Sequence, residues 1–441
     1  MRTDDGLRPV VVIVVSAALL LWPALWNGYP LVFSDTGTYL SQAIERYLGW
    51  DRPVFYSLFL LPLHLTLTTW PVIAAQAVLA AHLLYLLLRT LVPAAAVGWL
   101  VPCTAAMAAG TALPWFVAQI TPDIFTGLLV LALALLILTP ERLSPRERLW
   151  LVALAALLIA AHQSHLPLGA AMLLILLPSR RWLGAASPAR RADLGRAAAP
   201  LVLAVGALLA VNLLAFGRPS LSPYGNVFLL ARVIYDGPGM AALRRDCPAR
   251  DWRLCRFLEE FPPTSDDFLW RADGPVVRAG GAKLVSAEAG AIIHAALLAE
   301  PGTQAAAFLA NSTAQLGRFA TGDGLQAWPA TVTPTILRHF PRSESDAYAA
   351  SRQTRDVLLL PAWLLALHAG IALAGVAGCG AVVLAAPRRC VARGFAAAVL
   401  LALLVNAAVT GGLSGPHDRY QSRIMWLPPL VALLAAASLR R

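Results

Sequence analysis

The sequence predicts an all-α integral membrane protein of about ten transmembrane helices, two of them a short hairpin, with a mainly helical outer loop domain. Three observations predict it. Of the 441 residues, 58% are hydrophobic and the mean hydropathy is +0.66. Only 13% are charged, about half the roughly 25% usual in soluble domains. The apolar residues fall in runs near 20 residues, the length that crosses a hydrocarbon core of roughly 30 Å. A soluble two-domain enzyme, a disulfide-rich secreted scaffold and a disordered regulator are thereby excluded.

The first run, from Pro9 to Trp26, follows a short polar segment containing Arg2 and Arg8. Trp22, Pro23 and Trp26 stand where a signal peptide would need small residues, so it reads as an anchoring span. Further spans are expected at 72–90, 94–112, 123–139, 197–216, 357–379, 394–412 and 424–438. Two shorter runs, 149–161 and 166–177, are split by His162-Gln163-Ser164-His165 and flanked on both sides by arginines. They should enter and leave on one side as a hairpin.

The formal net charge of +11 would suit a nucleic-acid partner, but its distribution does not. Lys283 is the sole lysine, and no run of five basic residues occurs. The loops on the N-terminal side of the bilayer (1–8, 89–93, 140–148, 178–196, 387–393 and 439–441) carry 16 arginines against five acids. The rest of the chain is balanced, with 19 basic and 19 acidic residues. The surplus obeys the positive-inside rule, with both termini inside, and no nucleic acid is expected.

The expected domains are an N-terminal membrane module 1–216 with a first outer loop 27–71, a large outer loop 217–356, and a C-terminal membrane module 357–441. Within the large loop, apolar residues from Leu284 to Phe308 recur at rough helical spacing, broken at Pro301-Gly302. Cys247 and Cys255 would be about 12 Å apart on one continuous helix, too far for a bridge. Pro248 could turn the chain between them, and an oxidising outer compartment would permit a disulfide.

Chemistry must face outward or lie in the membrane, because the inside loops are short. No phosphate-binding GxGxxG or GxxxxGK[ST] motif, no CxxC and no HExxH is present, so an activated donor would have to come from the bilayer. In the first outer loop, Ser34-Asp35-Thr36 leads a segment in which Tyr39, Leu40, Ala43, Ile44, Tyr47 and Leu48 form an amphipathic surface helix. Asp35 is either a helix-start acid favoured by the dipole or a carboxylate poised above the bilayer as a general base. Asp123, after Thr121-Pro122, carries the same pair of readings. His162 and His165 sit at a depth where polar groups usually face a cavity or partner, or else simply make a hairpin turn. His417, Asp418, Arg419, Tyr420 and Arg423 precede the last span, where arginine either snorkels or grips a phosphate.

A first span, an outer loop with Asp35 leading a juxtamembrane helix, the stretch Arg52-Pro53-Val54-Phe55-Tyr56, Gln76 in the next span, and the late segment Ser414-Gly415-Pro416-His417-Asp418-Arg419-Tyr420 together resemble the GT-C superfamily of polytopic glycosyltransferases. The resemblance implies a GT-C-like fold and transfer of a sugar, with inversion, from a polyprenyl-phosphate-linked donor to a glycan, lipid or protein acceptor. It implies Asp35 as base or orienting group, Asp123 as second carboxylate, and Arg419 as the first contact of the lipid phosphate, with Arg423 an anchor. His417, His162, His165, Tyr39, Arg52 and Tyr56 are the further implied substrate contacts. A divalent metal on Asp35 and Asp123 would ease departure of the phosphate, although Thr36 stands where some members carry a second acid. The arginine bias suggests a GC-rich bacterium, and hence an inner-membrane protein with periplasmic large loops; loop 217–356 would select the acceptor. The rivals are a lipid-linked glycan transporter, which should show charges in several spans and paired broken helices, and a non-catalytic partner in envelope glycan assembly.

Overall fold

A computed structural model describes residues 4–184, 191–388 and 390–439. Every named element in it is helical, and the only strand-like pairing among the described residues is a single parallel bridge between Leu31 and Gln119. Among the described residues eight helices are long and apolar enough to cross a membrane, the mark of a multi-pass membrane protein. Seven of them match expected spans: Leu7–Asn27, Trp70–Leu91, Pro93–Gly110, Asp193–Phe216, Ala362–Ala385, Val391–Gly412 and Asp418–Leu439. The hairpin forms as Pro145–Ala161 and His165–Ser179, with 17 and 15 residues.

The eighth long apolar helix is Ala282–Ala299, which the sequence places in the outer loop. Its buried residues Val285, Ala289, Ile292 and Ala296 lie on one face and pack against Asn226–Tyr235 and Pro238–Asp246. Glu288, on the same helix, accepts the backbone N–H groups of Arg253 and Leu254 at 2.8 and 3.1 Å. One apolar stripe beside a polar, hydrogen-bonded face is the pattern of a half-wet helix.

The chain divides into two compact units: residues 1–208, 318–405 and 418–441 form one, and residues 209–317 and 406–417 the other. Segment 318–356, expected to belong with the large outer loop, lies in the first unit. Polar bonds hold it there. Gln353 pairs with both backbone groups of Val32, at 2.9 and 2.7 Å. Glu344 accepts from Tyr29 Oη and from the backbone and hydroxyl of Thr69, each at 2.8 Å.

The axis of the first unit is the helix Asp123–Leu138, all 16 residues of which are buried. It is apolar all round, as a helix enclosed by others must be, and it packs against Trp70–Leu91 and both hairpin helices. At 16 residues it is about 24 Å long, shorter than the bilayer core. Its first residue, Asp123, is therefore held at the end of the central helix. Gly127, one turn on, lies flat against the Trp426 indole; a Cβ there would come within 2.5 Å of the ring.

The second unit has its own core of Val233, Ala242 and Ala296. Pro238–Asp246 stops just before Cys247, and the chain turns through Ala249 N–H to Asp246 O and Arg250 N–H to Cys247 O. This turn brings the Cα atoms of Cys247 and Cys255 to 5.5 Å, and the two form a disulfide.

With the free cysteines Cys103, Cys379 and Cys390 replaced, single cysteines introduced at Arg271 and at Ala306 should react with a membrane-impermeant maleimide from the same side of the membrane. Reaction from opposite sides would mean that Ala282–Ala299 crosses.

Candidate active site

The loop 27–71, expected on the outer side, is sewn to the turn before the central helix. Leu31 donates to Ala118 O at 2.9 Å and accepts from Ile120 N–H at 2.8 Å, and Thr36 Oγ1 donates to Ile120 O at 2.9 Å. Gln76 donates to the carbonyls of Val117 and Gln119 and accepts from Tyr56 Oη at 2.7 Å. Gly37 allows the loop helix Thr36–Glu45 to lie directly on the carbonyl of Thr331, a position any Cβ would occupy.

Asp35 stands at the N-cap of that helix, yet its side chain makes no capping bond. It turns to Arg52, whose Nε and Nη2 donate to the two carboxylate oxygens at 2.9 and 2.8 Å. Burial alone would raise the Asp35 pKa, but the charge and hydrogen bonds of Arg52, with the more distant charge of Arg419, hold it below the ordinary carboxylate range. Neighbouring Asp51 lies 3.8 Å from Arg52, and burial pushes its carboxyl up. The helix-cap reading of Asp35 gives way to a paired, ionised carboxylate.

Asp123 is 2% exposed and receives two arginines: Arg423 Nη1 at 2.9 Å and Arg419 Nη1 at 3.3 Å. Arg423, expected to snorkel as an anchor, is instead fully buried and also donates to Ser164 Oγ at 3.0 Å. Its backbone carbonyl accepts from Trp426 Nε1 at 2.9 Å, which ties the pair to the last helix. Arg419 lies over the Phe33 ring, 3.7 Å from its centroid, so it connects the Asp123 pair with the first loop through a cation–π contact.

The expected contacts sort themselves by geometry. Asp35, Arg52, Asp123, Arg419 and Tyr39 come together: the Tyr39 side chain lies within electrostatic reach of the other four. The Tyr39 hydroxyl is buried without a hydrogen-bond partner among the described residues, whereas Asp123 Oδ2 has only the 3.3 Å contact of Arg419. Burial raises the Tyr39 pKa, so the phenol remains a neutral donor. Tyr56 is fully buried, spends its hydroxyl on Gln76 and packs edge-on against Tyr39 at 4.9 Å. His165 has no nitrogen left for a phosphate or metal, since Thr126 Oγ1 and Leu158 O occupy its two ring nitrogens, each at 2.7 Å. His162 lies against it, ring centroids 5.1 Å apart, with Nδ1 bonded to Ser164. His417 falls in the second unit, its backbone clamped by Gln315 in two bonds of 2.8 and 2.9 Å.

Sequence reasoning gave Arg423 only an anchoring role and assigned none to Ser164 and Phe33. Arg423 had a readable signal: it stands four residues after Arg419, the spacing that puts two side chains on one helix face. A metal fits poorly. Asp35 and Asp123 are each engaged by arginine, and no group of three or more His, Cys, Asp or Glu able to hold a metal occurs among the described residues.

Two outcomes follow from these pairs. Asp123→Asn strands two buried arginines and should cost about 3–5 kcal/mol. The double substitution Asp123→Asn with Arg423→Gln should cost less than the sum of the single changes, as read by thermal unfolding of the purified protein; strict additivity would mean that the pair does not couple. For Asp35, a folded pKa below the unfolded value of about 3.9 means that its contribution is complete above that value and lost as pH falls through the folded pKa. The stability gap between wild type and Asp35→Asn should therefore stay constant from pH 8 to pH 5 and close only below about pH 4.

No family model, no curated protein and no solved structure matches the chain.

Proposed function

We propose that the protein is a GT-C-like membrane glycosyltransferase, with ten membrane crossings, both termini cytoplasmic and its large loops on the periplasmic side of a bacterial inner membrane. It transfers a sugar from a polyprenyl-phosphate-linked donor to a glycan, lipid or protein acceptor. The observation that carries the reading is the gathering of Asp35, Arg52, Tyr39, Asp123 and Arg419 from four separate stretches of chain into one group, with Tyr39 and Asp123 buried and the other three partly buried. Beside these ion pairs Tyr39 Oη is buried without a hydrogen-bond partner among the described residues, and a buried donor left open calls for a ligand or water to take it.

The roles follow from charge. Arg419 supplies donors suited to a lipid phosphate, and Arg52, its fork closed on Asp35, adds positive charge beside it. Asp35, held ionised by Arg52, accepts the hydroxyl hydrogen of the acceptor and aligns its oxygen with the anomeric carbon. As the new C–O bond forms, that hydroxyl becomes acidic and its proton passes to Asp35. The bond from the anomeric carbon to the phosphate oxygen breaks at the opposite face, and its electron pair leaves with the lipid phosphate, inverting the centre. A low carboxylate pKa makes Asp35 a weak base in the ground state, so alignment carries more of its contribution than early proton removal. No metal is assigned a step.

The test compares envelope glycan composition in the native host producing wild type, Asp35→Asn or Arg419→Ala at equal protein abundance. Asp35→Asn should reduce the transferred sugar by about 10²-fold or more, and Arg419→Ala should reduce it as well. An unchanged glycan in Asp35→Asn would overturn the catalytic reading and leave a transporter or an assembly partner.

A further inference from the structure

A second arginine site lies at the openings of two other helices. Pro145, Arg148, Leu149 and Val152 recur at i, i+3, i+4 and i+7, one face of Pro145–Ala161. Together with Arg196 and Ala199 of Arg191–Phe216 they line a groove of about 220 Å³. Both helices begin beside the arginine-rich loops 140–148 and 178–196. The two arginines therefore lie in the opening turns, and Val152 and Ala199 lie one turn further along each helix. A cationic mouth above an apolar wall has the polarity order of a phospholipid, with its phosphate above its acyl chains. Leu149, on the groove's edge, is 72% exposed, as a lipid-facing side chain would be.

Arg148 is the telling residue. Among the described residues its Nε–H is buried with no hydrogen-bond partner and the side chain has no ion-pair partner. The adjacent acid is committed elsewhere: Glu147 takes Arg89 in two bonds of 2.7 and 2.8 Å and closes a capping box with Ser144. Arg196 has Asp193 at 3.3 Å, so the groove keeps a positive surplus. An unsatisfied buried guanidinium donor is costly, and its fork matches the oxygens of a phosphate. Basic pockets between membrane helices on the arginine-rich side are suited to anionic headgroups.

We propose that this groove binds the phosphate diester of an anionic phospholipid, seated between the openings of Pro145–Ala161 and Arg191–Phe216. The test is native mass spectrometry of the purified full-length chain with added phosphatidylglycerol, phosphatidylcholine or inorganic phosphate. Wild type should retain phosphatidylglycerol over phosphatidylcholine. Arg148→Gln with Arg196→Gln should lower the retained fraction at least tenfold, while Arg146→Gln, changing an exposed neighbour outside the groove, should leave it unchanged. Because the Arg148 side chain has no ion pair or hydrogen bond to lose among the described residues, the single Arg148→Gln substitution gives the same reading where the double variant is poorly produced. Equal retention of the two lipids, retention unaltered by the substitutions, or displacement of the lipid by millimolar inorganic phosphate would each overturn the proposal.

Discussion

The first unit depends on one buried ion pair, Asp123 with Arg423. Asp123 opens a central helix that is buried along its whole length, and Arg423 stands fully buried at the start of the last helix. Neither charge could be there alone, since an unpaired buried charge costs several kcal/mol. Arg423 also reaches Ser164 in the hairpin turn, and its carbonyl holds the Trp426 indole that lies on Gly127. One pair thus locks the central helix, the hairpin and the last helix at the same level, and fixes where Arg419 can stand.

Around that lock the first outer loop is held by backbone-directed amides, where apolar packing would leave it free to slide. Gln353 fastens Val32, Gln76 fastens the turn at Val117 and Gln119, and Glu344 gathers Tyr29 and Thr69. Buried polar networks of this kind are favourable only when nearly complete. Tyr39 Oη is buried without a hydrogen-bond partner among the described residues, beside a carboxylate that Arg52 keeps ionised.

Much of this was legible in the sequence. The apolar runs mark seven helices long enough to cross a membrane and three shorter ones, Asp123–Leu138 and the hairpin pair, because length and hydrophobicity are read directly from the sequence; the span expected at 357–379 sits a few residues later, as Ala362–Ala385. The gathering of Asp35, Asp123 and Arg419 was an expectation of the family resemblance, and their proximity is consistent with it. What escaped were the partners. Arg52 lies 17 residues from Asp35 and Gln353 lies 321 from Val32, and no local periodicity encodes such pairings. His165 shows the opposite error: its residue type suggested a ligand, while two core hydrogen bonds had already consumed it. The place of 318–356 in the first unit was hidden for the same reason, since side-chain amides and a carboxylate hold it there.

The central claim is that the cluster of Asp35, Asp123 and the arginines receives a lipid phosphate, beyond holding helices together. The most direct measurement is an experimental structure of the full chain with bound undecaprenyl phosphate. The account predicts the phosphate within hydrogen-bonding distance of Arg419, with its oxygens beside Arg52 and Tyr39. A lipid phosphate bound elsewhere, with the Asp123, Arg419 and Arg423 pairs closed and nothing seated against Tyr39, would contradict it.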